Sequence, residues 1–336
     1  MEVLTDVPGK PGGFWHAHTT LVGPTAPHPV LAKLLGSAWA TRVKDVAVAL
    51  RLFWQRGQDK AFVTGGGLDG LIFALLQTLF AWRVCPHVMV DCNWYEPTSR
   101  LGRWLRRFQM GLAARSVKQF VVWASHELDD YARTFGLSPD KLCYVPFHTT
   151  LDFYQFEVRD DGYLFAGGNY DRDYPTLVEA VRPLDVPVWI ATTRPEQLHG
   201  TDIPPHVRVA GTTAAGFREA MAAARLVVVP MQPGLLHSGG QQTCLNAMYL
   251  GKPTIAIGRR WATDLMDDGV HGLIVDYGDV AGLRRAICQL LDDPEEARQM
   301  ALRGQEHAQQ FTTRRCMETI YDLARGAVAA DQAVAA

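Results

Sequence analysis

Residues 238–257 read SGGQQTCLNAMYLGKPTIAI: a glycine turn, a helical pattern, a stop and an apolar run. The preceding run Leu226–Pro230 is short and β-branched, which is typical of an interior parallel strand. Helical spacing follows over 241–250, and Gly251 and Pro253 end the helix. The stretch predicts a strand, a glycine loop and a helix N-terminus, where unpaired amides favour an anion such as phosphate. Glycines that serve only the turn are the alternative.

This stretch resembles the donor-site segment of the family 4-like glycosyltransferases of GT-B fold. The family's helix ends Leu-Glu-Ala-Met-Ala-x-Gly-x-Pro-Val-Ile-Ala, and residues 245–256 read LNAMYLGKPTIA. The family's two glutamates, for the donor sugar and the nucleotide ribose, are replaced here by Ser238 and Asn246. Asn246 can still hydrogen-bond a ribose hydroxyl, whereas Ser238 is too short to replace a glutamate directly. The resemblance implies a nucleotide site more strongly than it implies sugar transfer.

The length of 336 residues is typical of about two domains. The resemblance implies an α/β fold class with two Rossmann-like domains that face each other across a cleft. We expect an N-terminal acceptor-binding domain over 1–157 and a C-terminal nucleotide-sugar donor-binding domain over 158–310. A helix over 311–325 would cross back to the first domain, and the Ala-rich stretch 326–336 would be a disordered tail.

Composition limits the classes of partner and the cellular compartment. The formal net charge of −2 gives no reason to expect nucleic acid as a partner. The six cysteines are scattered and suggest reduced cytoplasmic thiols rather than a zinc site or disulfides. No signal peptide opens the chain, and the longest apolar run, 71–82, is too short to span a bilayer. We therefore expect a cytoplasmic protein, and its excess of Arg over Lys suggests a bacterial source.

The loop GGNYDRDY at residues 167–174 follows the first strand of the second domain. Similar loops in the family carry a cation for the donor diphosphate, and Arg172 is the candidate because its forked guanidinium suits phosphate oxygens. Asp171 and Asp173 also spell a D-x-D metal motif, but that pattern is common by chance and belongs to a single-domain architecture. We expect no metal and no cofactor. The expected donor-binding residues are Gly168, Asn169, Arg172, Thr193, Arg194, Thr212, Ser238, Gly239, Gly240, Gln241, Gln242, Thr243 and Asn246.

The acceptor site is expected at strand ends of the first domain. Asp91 ends a strand, and Asn93 follows where the family commonly has a histidine. The expected acceptor-binding residues are Gly66, Gly67 and Asn93, and Asp91 or His126 would act as the acceptor-side base. Polar strand ends that simply face solvent are the alternative. Residues 1–30 contain too many Pro and Gly for regular structure beyond a strand over 2–7.

The helical stretch Ser99–Lys118 interleaves six Lys and Arg residues with apolar ones and contains no acidic residue. A basic amphipathic helix can lie on an anionic membrane, as in family members that glycosylate lipid carriers. A peripheral contact with the inner face of the membrane and an ordinary solvated face are both open.

The resemblance implies a glycosyltransferase, of hexosyltransferase type, that moves a sugar from a nucleoside diphosphate to an acceptor hydroxyl with retention. The acceptor would be a glycan, a lipid-linked molecule or a small molecule. Arg172 and the amides of 239–242 would stabilise the leaving diphosphate without a metal.

Two other functions stay open at this point. The loss of both glutamates suggests an inactive nucleotide-binding relative that serves as a partner or scaffold. Residues Gly65–Gly70 read GGGLDG between a strand and a helix, which fits the G-x-G-x-x-G pattern of an NAD(P)-dependent oxidoreductase.

Overall fold

The computed structural model describes residues 1–335, except for the side chains of Leu35 and of residues 330–335. None of the helices in this part of the chain is long and apolar enough to cross a bilayer. Among the described residues, no group of three or more His, Cys, Asp and Glu side chains is arranged to hold a metal ion. The six cysteines are free thiols.

The chain folds as two compact units, of which one is Met1–Val145 with Arg314–Ala336 and the other is Pro146–Thr313. Each unit is built on its own six-stranded sheet. All neighbouring strands run parallel, as expected where helical connections return the chain to the same edge. The predicted α/β class with two Rossmann-like domains is confirmed.

The first unit contains the first six strands of the chain. These are β1 (Glu2–Thr5), β2 (Thr19–Leu21), β3 (Lys60–Gly65), β4 (His87–Val90), β5 (Gln119–Val122) and β6 (Leu142–Tyr144). Its helices are α1 (Phe14–His18), α2 (Pro29–Leu35), α3 (Ser37–Trp54), α4 (Leu68–Leu79), α5 (Arg100–Ala113), α6 (His126–Phe135) and, from Arg314 on, a last helix described below. The strand order is β2-β1-β3-β4-β5-β6. Because β3 to β6 step in one direction, right-handed crossovers place α4, α5 and α6 on one face of the sheet.

The second unit contains the remaining six strands. These are β7 (Leu164–Gly167), β8 (Val188–Ala191), β9 (Val207–Val209), β10 (Leu226–Pro230), β11 (Thr254–Ile257) and β12 (Leu273–Val275). Its helices are α7 (Tyr174–Val181), α8 (Ala214–Ala223), α9 (Gln241–Tyr249), α10 (Arg259–Ala262), α11 (Val280–Asp292) and α12 (Pro294–Ala308). The order β12-β11-β10-β7-β8-β9 places the fully buried β10 in the interior of the sheet, as its β-branched sequence predicts.

The units divide at residues other than the predicted boundaries. Residues 146–157 belong to the second unit rather than the first. Hydrogen bonds tie this segment there: Thr313 donates to Asp152 through its amide at 2.9 Å and through its hydroxyl at 2.8 Å. The last helix, α13 (Thr313–Ala335), covers 313–325 of the predicted crossing helix and continues through residues 326–335 of the stretch predicted as a disordered tail. Alanine has the highest helix propensity, and Ala336 lies outside the described residues.

Candidate functional site

Four loops of the second unit meet at one edge of its sheet. They follow β7, β8, β9 and β10, and the carboxyl ends of parallel strands lie at the same edge. These loops carry the donor-site residues predicted before α9. In open α/β sheets this edge is the usual place for a ligand.

Arg172 is the central side chain of this edge, and it is only 7% exposed. Its Nε donates to the carbonyl of Gly167 at 3.1 Å, and its Nη1 donates to the carbonyl of Tyr170 at 3.0 Å. Nη2 lies 3.4 Å from the Thr243 hydroxyl, and Nη1 lies 2.7 Å from the sulfur of Met231. All these partners are neutral. Burial lowers the pKa of the Arg172 guanidinium, and the nearby Asp171 carboxylate opposes this shift in part.

Two glycine loops flank the Arg172 guanidinium. Gly168 has a φ of 135°, and a Cβ there would lie 2.7 Å from the Nε and Nη2 atoms of Arg172. A Cβ on Gly239 would lie 4.0 Å from Nη1. Gly240, with a φ of 83°, then starts α9. The structure thus brings the loop after β7 and the N-terminus of α9 to the same cation, and donor binding by Arg172, Gly168, Gly239 and Gly240 stays a prediction.

The loops after β7 and β8 are fixed to each other by Asn169. Its Oδ1 accepts hydrogen bonds from the Thr193 amide at 2.8 Å and the Thr192 hydroxyl at 3.1 Å. Arg194 is exposed and lies 4.3 Å from the centroid of the Tyr170 ring. The same edge as that of Arg172 therefore carries Asn169, Thr193 and Arg194. The side-chain oxygen of Asn169, however, is already used in hydrogen bonds within the protein.

Thr212 lies in the loop after β9, next to the loop after β8. A Cβ added to Gly211 would lie 3.0 Å from Cγ2 of Thr193, which shows how closely the two loops approach. Thr212 is half-buried. Of the predicted residues around the start of α9, Ser238, Gln241 and Thr243 are buried and Gln242 is exposed.

Asn246 uses its whole side-chain amide within the second unit. Its Oδ1 accepts hydrogen bonds from the Thr149 hydroxyl at 2.8 Å and the Thr150 amide at 2.9 Å, and its Nδ2 donates to the Thr150 hydroxyl at 3.2 Å. Gln242 also donates to that hydroxyl, at 3.0 Å. The predicted ribose contact of Asn246 stays a prediction, and it would have to replace or share these bonds.

A histidine and an aspartate that the sequence did not single out as a pair lie beside this site. His237 is buried, and its Nε2 lies 3.6 Å from Oδ2 of Asp171. Asp171 has a φ of 58°, a strained conformation for a residue other than glycine. Asp173 instead accepts from the Thr176 amide at 3.2 Å and caps α7. The two aspartates of the D-x-D pattern therefore contact different groups, Asp171 the ring of His237 and Asp173 the start of α7. His237 is far from both in the sequence, so no local motif could have predicted the contact.

The predicted acceptor-side residues lie at the carboxyl ends of β3, β4 and β5 in the first unit. A Cβ on Gly66 would lie 2.8 Å from the carbonyl oxygen of Asp91, so only glycine allows this approach. Oδ1 of Asp91 accepts from the indole of Trp123 at 3.0 Å. Gly67 precedes α4, Asn93 is exposed, and His126 is half-buried at the start of α6.

Asp6 is a buried acid that the sequence analysis missed. Its Oδ1 accepts from the Gly65 amide at 2.8 Å, and its Oδ2 is buried without a hydrogen-bond partner. Burial and the nearby Asp69 raise the pKa of Asp6 to about 8. Lys44 lies between Asp45, at 2.9 Å, and Asp69, at 3.8 Å. The only sequence feature that could have indicated Asp6 is its position after a short strand, and a single aspartate there is common.

Asp6→Asn is expected to stabilise the protein at pH 8 and to have little effect near pH 4. The unfolded carboxyl ionises near the ordinary aspartate pKa of 3.8, whereas the folded one holds its proton to about pH 8. The free energy of unfolding therefore falls as the pH rises from about 4 to about 8. Asparagine cannot ionise, so Asp6→Asn should raise the free energy of unfolding at pH 8 by at least about 1 kcal/mol. Urea unfolding at several pH values measures this. The exposed Asp185 provides the control, Asp185→Asn. Equal pH profiles for wild type and Asp6→Asn would contradict the prediction.

The second unit resembles known glycosyltransferases in sequence. Residues 165–293 match the family model described as Glycosyl transferases group 1. EpsD of Bacillus subtilis (strain 168), whose name assigns it provisionally to the glycosyltransferases, is 30% identical over 88 residues. That match covers 26% of this chain and 23% of EpsD, so the chain spans less than a quarter of its curated relative.

Solved structures resemble the chain over nearly its whole length. The Anabaena protein HepE, solved in complex with UDP and glucose, has a TM-score of 0.70 at 15% identity and covers 95% of this chain and 98% of its own. Sucrose-phosphate synthase from Thermosynechococcus elongatus has a TM-score of 0.66 at 16% identity and covers 93% and 83%. At these identities the structures establish the fold. Together with the group 1 match over residues 165–293 and the EpsD match, this fold supports a glycosyltransferase of GT-B fold that is similar to family 4.

Proposed function

We propose that this protein transfers a sugar from a uridine diphosphate donor to an acceptor hydroxyl. The observation that carries the proposal is Arg172, a buried cation whose hydrogen-bond partners are neutral, between the loop after β7 and the N-terminus of α9. A diphosphate would supply charged oxygen acceptors for its guanidinium. The base is chosen because HepE was solved with UDP and with UDP-glucose.

The chemistry proposed for this site is stabilisation of the leaving group. As the bond between sugar and diphosphate breaks, negative charge grows on the diphosphate oxygens. Arg172 and the amides of 239–242 would stabilise that charge, because these donors are already held in place by the fold. We therefore propose transfer without a metal ion. Retention of configuration and a hexose as the transferred sugar are parts of the same proposal, and they rest on the family resemblance.

On the acceptor side we propose Asp91 or His126 as the base, with Gly66, Gly67 and Asn93 as contacts. The support is positional, because these residues follow β3, β4 and β5 at one edge of the first sheet. Asp91→Asn and His126→Gln should then lower the rate of transfer to acceptor and leave UDP binding unchanged. The acceptor is proposed as a glycan, a lipid-linked molecule or a small molecule.

The direct test is a titration with nucleotides followed by an assay for UDP release. UDP at a hundred times its Kd should stabilise the folded protein by about 2.7 kcal/mol, which a thermal-shift assay detects. Release of UDP from UDP-glucose would support an active transferase. Binding without release, with acceptors present, would support the inactive partner or scaffold.

The oxidoreductase alternative is disfavoured by the charges around Gly65–Gly70. Asp69 stands in the first turn of α4 and accepts from the Gly70 amide at 3.1 Å, and Asp6 occupies the Gly65 amide. A pyrophosphate would need these amides, which already donate to Asp6 and Asp69. NADH should therefore give no thermal shift at a concentration where UDP does.

We also propose a cytoplasmic location with peripheral membrane contact through Ser99–Lys118. In support, α5 exposes Trp104 and Phe108 among its arginines. Reversing Arg103, Arg106 and Arg107 to Glu should abolish binding to anionic vesicles and leave the UDP shift intact.

A further inference from the structure

The outer side of α3 leaves large apolar side chains in solvent. Trp39, Val43, Val46, Leu50 and Trp54 are exposed, by 61% at Trp39 and 78% at Trp54. Their spacing of three or four residues places them along one side of the helix. The opposite side of α3 packs into the core of the first unit. This helix therefore has two apolar sides, of which only one is covered by the protein.

A second exposed group follows α4 and meets the end of α3. The ring of Phe53 lies 5.6 Å from Trp54, 5.6 Å from Phe80 and 6.1 Å from Trp82. Trp82 is 72% exposed. The guanidinium of Arg56 lies 3.7 Å from the Phe53 ring and 5.2 Å from the Trp82 ring. The two groups thus form a continuous surface of aromatic rings with a cation held among them.

The third group lies on α5. Leu101, Trp104, Leu105 and Phe108 are exposed at helical spacing, and the Trp104 and Phe108 rings are stacked at 5.9 Å. The hydroxyl of Thr78 in α4 donates to an α5 carbonyl at 2.9 Å, so the two helices are neighbours. Right-handed crossovers place both on the same face of the sheet. We call the exposed sides of α3, residues 79–84 and α5 the apolar-basic face.

Charge distinguishes this part of the chain from the rest. The whole protein has a formal net charge of −2, but residues 30–118 contain more than twice as many Lys and Arg as Asp and Glu. The one acidic residue in α3 and α5 is Asp45, which is buried and lies 2.9 Å from Lys44. Exposed arginines, in contrast, flank the apolar stripes at Arg42, Arg51 and Arg100. A negatively charged surface would complement this face.

The second unit shows no comparable surface among its described residues. Its exposed large apolar side chains are a short group at Phe153, Tyr154 and Val158 and separate positions such as Val270 and Leu302. Both of its tryptophans, Trp189 and Trp261, are buried or half-buried. Single exposed apolar residues are normal on any protein, whereas a large contiguous patch marks an interaction site.

We propose that the apolar-basic face binds an anionic lipid bilayer, with α3 and residues 79–84 contributing as well as α5. Tryptophan rings suit the boundary between lipid headgroups and acyl chains, and arginines among them suit anionic headgroups. All three groups lie next to α4: α3 packs against it, residues 79–84 follow it, and α5 accepts a hydrogen bond from its Thr78. The inference enlarges the contact proposed for α5, and its test does not depend on sugar transfer.

The test is co-sedimentation of the full chain with vesicles of phosphatidylcholine alone or of equal parts phosphatidylcholine and phosphatidylglycerol. We expect binding to the anionic vesicles, and a strong decrease between about 0.1 M and 1 M salt, where the Debye length falls from about 10 to 3 Å. Brominated lipid should quench tryptophan fluorescence on binding.

Variants separate α3 from α5. Trp39→Ser with Trp54→Ser should lower binding to anionic vesicles by at least about tenfold, and so should Trp104→Ser with Phe108→Ser. All four side chains are exposed, so the folded state and the thermal shift by UDP should be retained. Leu302→Ser in the second unit, also exposed, is the matched control and should bind like wild type.

Three outcomes would overturn the proposal. One is equal binding to neutral and anionic vesicles, or binding to neither. Another is full binding by the α3 variant together with loss in the α5 variant, which would restrict the contact to Ser99–Lys118. The third is a wild-type dimer that becomes a monomer in the α3 variant without any vesicle binding, which would assign the face to a second copy of the chain.

Discussion

Arg172→Met should abolish the stabilisation by UDP and lower the rate of UDP release from UDP-glucose by about two to three orders of magnitude. Arg172 is the buried cation between the two glycine loops, and its hydrogen-bond partners within the protein are neutral. Methionine fills much of the same volume but offers neither a positive charge nor a fork of donors. Thermal shift and isothermal titration measure the first effect, and a UDP-release assay measures the second.

The ligand-free stability of this variant separates a binding role from a folding role. Removing a buried charge is favourable, whereas losing its hydrogen bonds to the Gly167 and Tyr170 carbonyls and its attraction to Asp171 is unfavourable. We expect these effects to offset each other to within about 2 kcal/mol in the free energy of unfolding. Arg208→Met is the control, since Arg208 is exposed and stacks on Trp189 at 4.5 Å.

One result would count against the role of Arg172, and another would call for a second variant. An unchanged UDP shift in Arg172→Met would place the diphosphate elsewhere. Full loss of the folded state would make the variant uninformative about binding, and Arg172→Lys then provides the measurement. Lysine keeps the charge but loses the fork, so it should retain the fold and bind UDP more weakly than wild type.

Asn246→Ala should destabilise the second unit by about 1–3 kcal/mol, because it leaves the Thr150 amide and the Thr149 hydroxyl without their acceptor. Asn246→Asp keeps an acceptor oxygen at the same distance along the side chain. The Thr150 hydroxyl can turn to donate to it, so this variant should be close to wild type in stability. Urea unfolding of both variants measures the difference.

Restoring the family's residue with Asn246→Glu decides between two roles. If Asn246 positions residues 149–150, the longer carboxylate cannot reproduce these bonds, and both stability and UDP affinity should fall. If Asn246 serves the ribose, the carboxylate should preserve or tighten UDP binding, and alanine should weaken it by about 0.5–1.5 kcal/mol. The bonds to Thr149 and Thr150 favour the first outcome. Gln242→Ala, which removes a neighbouring bond to Thr150, is the matched control.

The alternation of strands and helices was readable from the sequence because each element has its own local signal. β10 is a β-branched run, and α9 begins after glycines and ends before Gly251. The N-terminal segment was harder. Its many Pro and Gly residues predicted little regular structure, yet β2 forms there by pairing in parallel with β1. A three-residue strand has too little pattern of its own, and the neighbouring strand supplies its hydrogen bonds.

The sequence also predicted that Arg172 lies in a loop after a strand, but it did not predict which residues surround its side chain. Gly239 and Thr243 lie near Arg172 but come about 70 residues later in the chain, after β8, β9 and β10. Only the strand order, in which β10 is next to β7, brings their loops to the same edge of the sheet. The same is true of Asp6 and Gly65, and of Asn246 and Thr149. In none of these cases did the sequence predict the pair, because residues far apart along the chain form no local pattern that could link them.

The sequence by itself determined the two α/β units, the strand–glycine–helix element and the cation expected to serve it, because these depend on periodicity and turn chemistry within about twenty residues. The tertiary structure alone decided which polar groups are already used and which apolar surfaces are covered. Helical spacing along α3 shows that both of its sides are apolar, but it cannot say which side packs on the sheet. Burial is a property of the neighbours, and Trp39 and Trp54 lie in solvent because no other part of the described chain covers them.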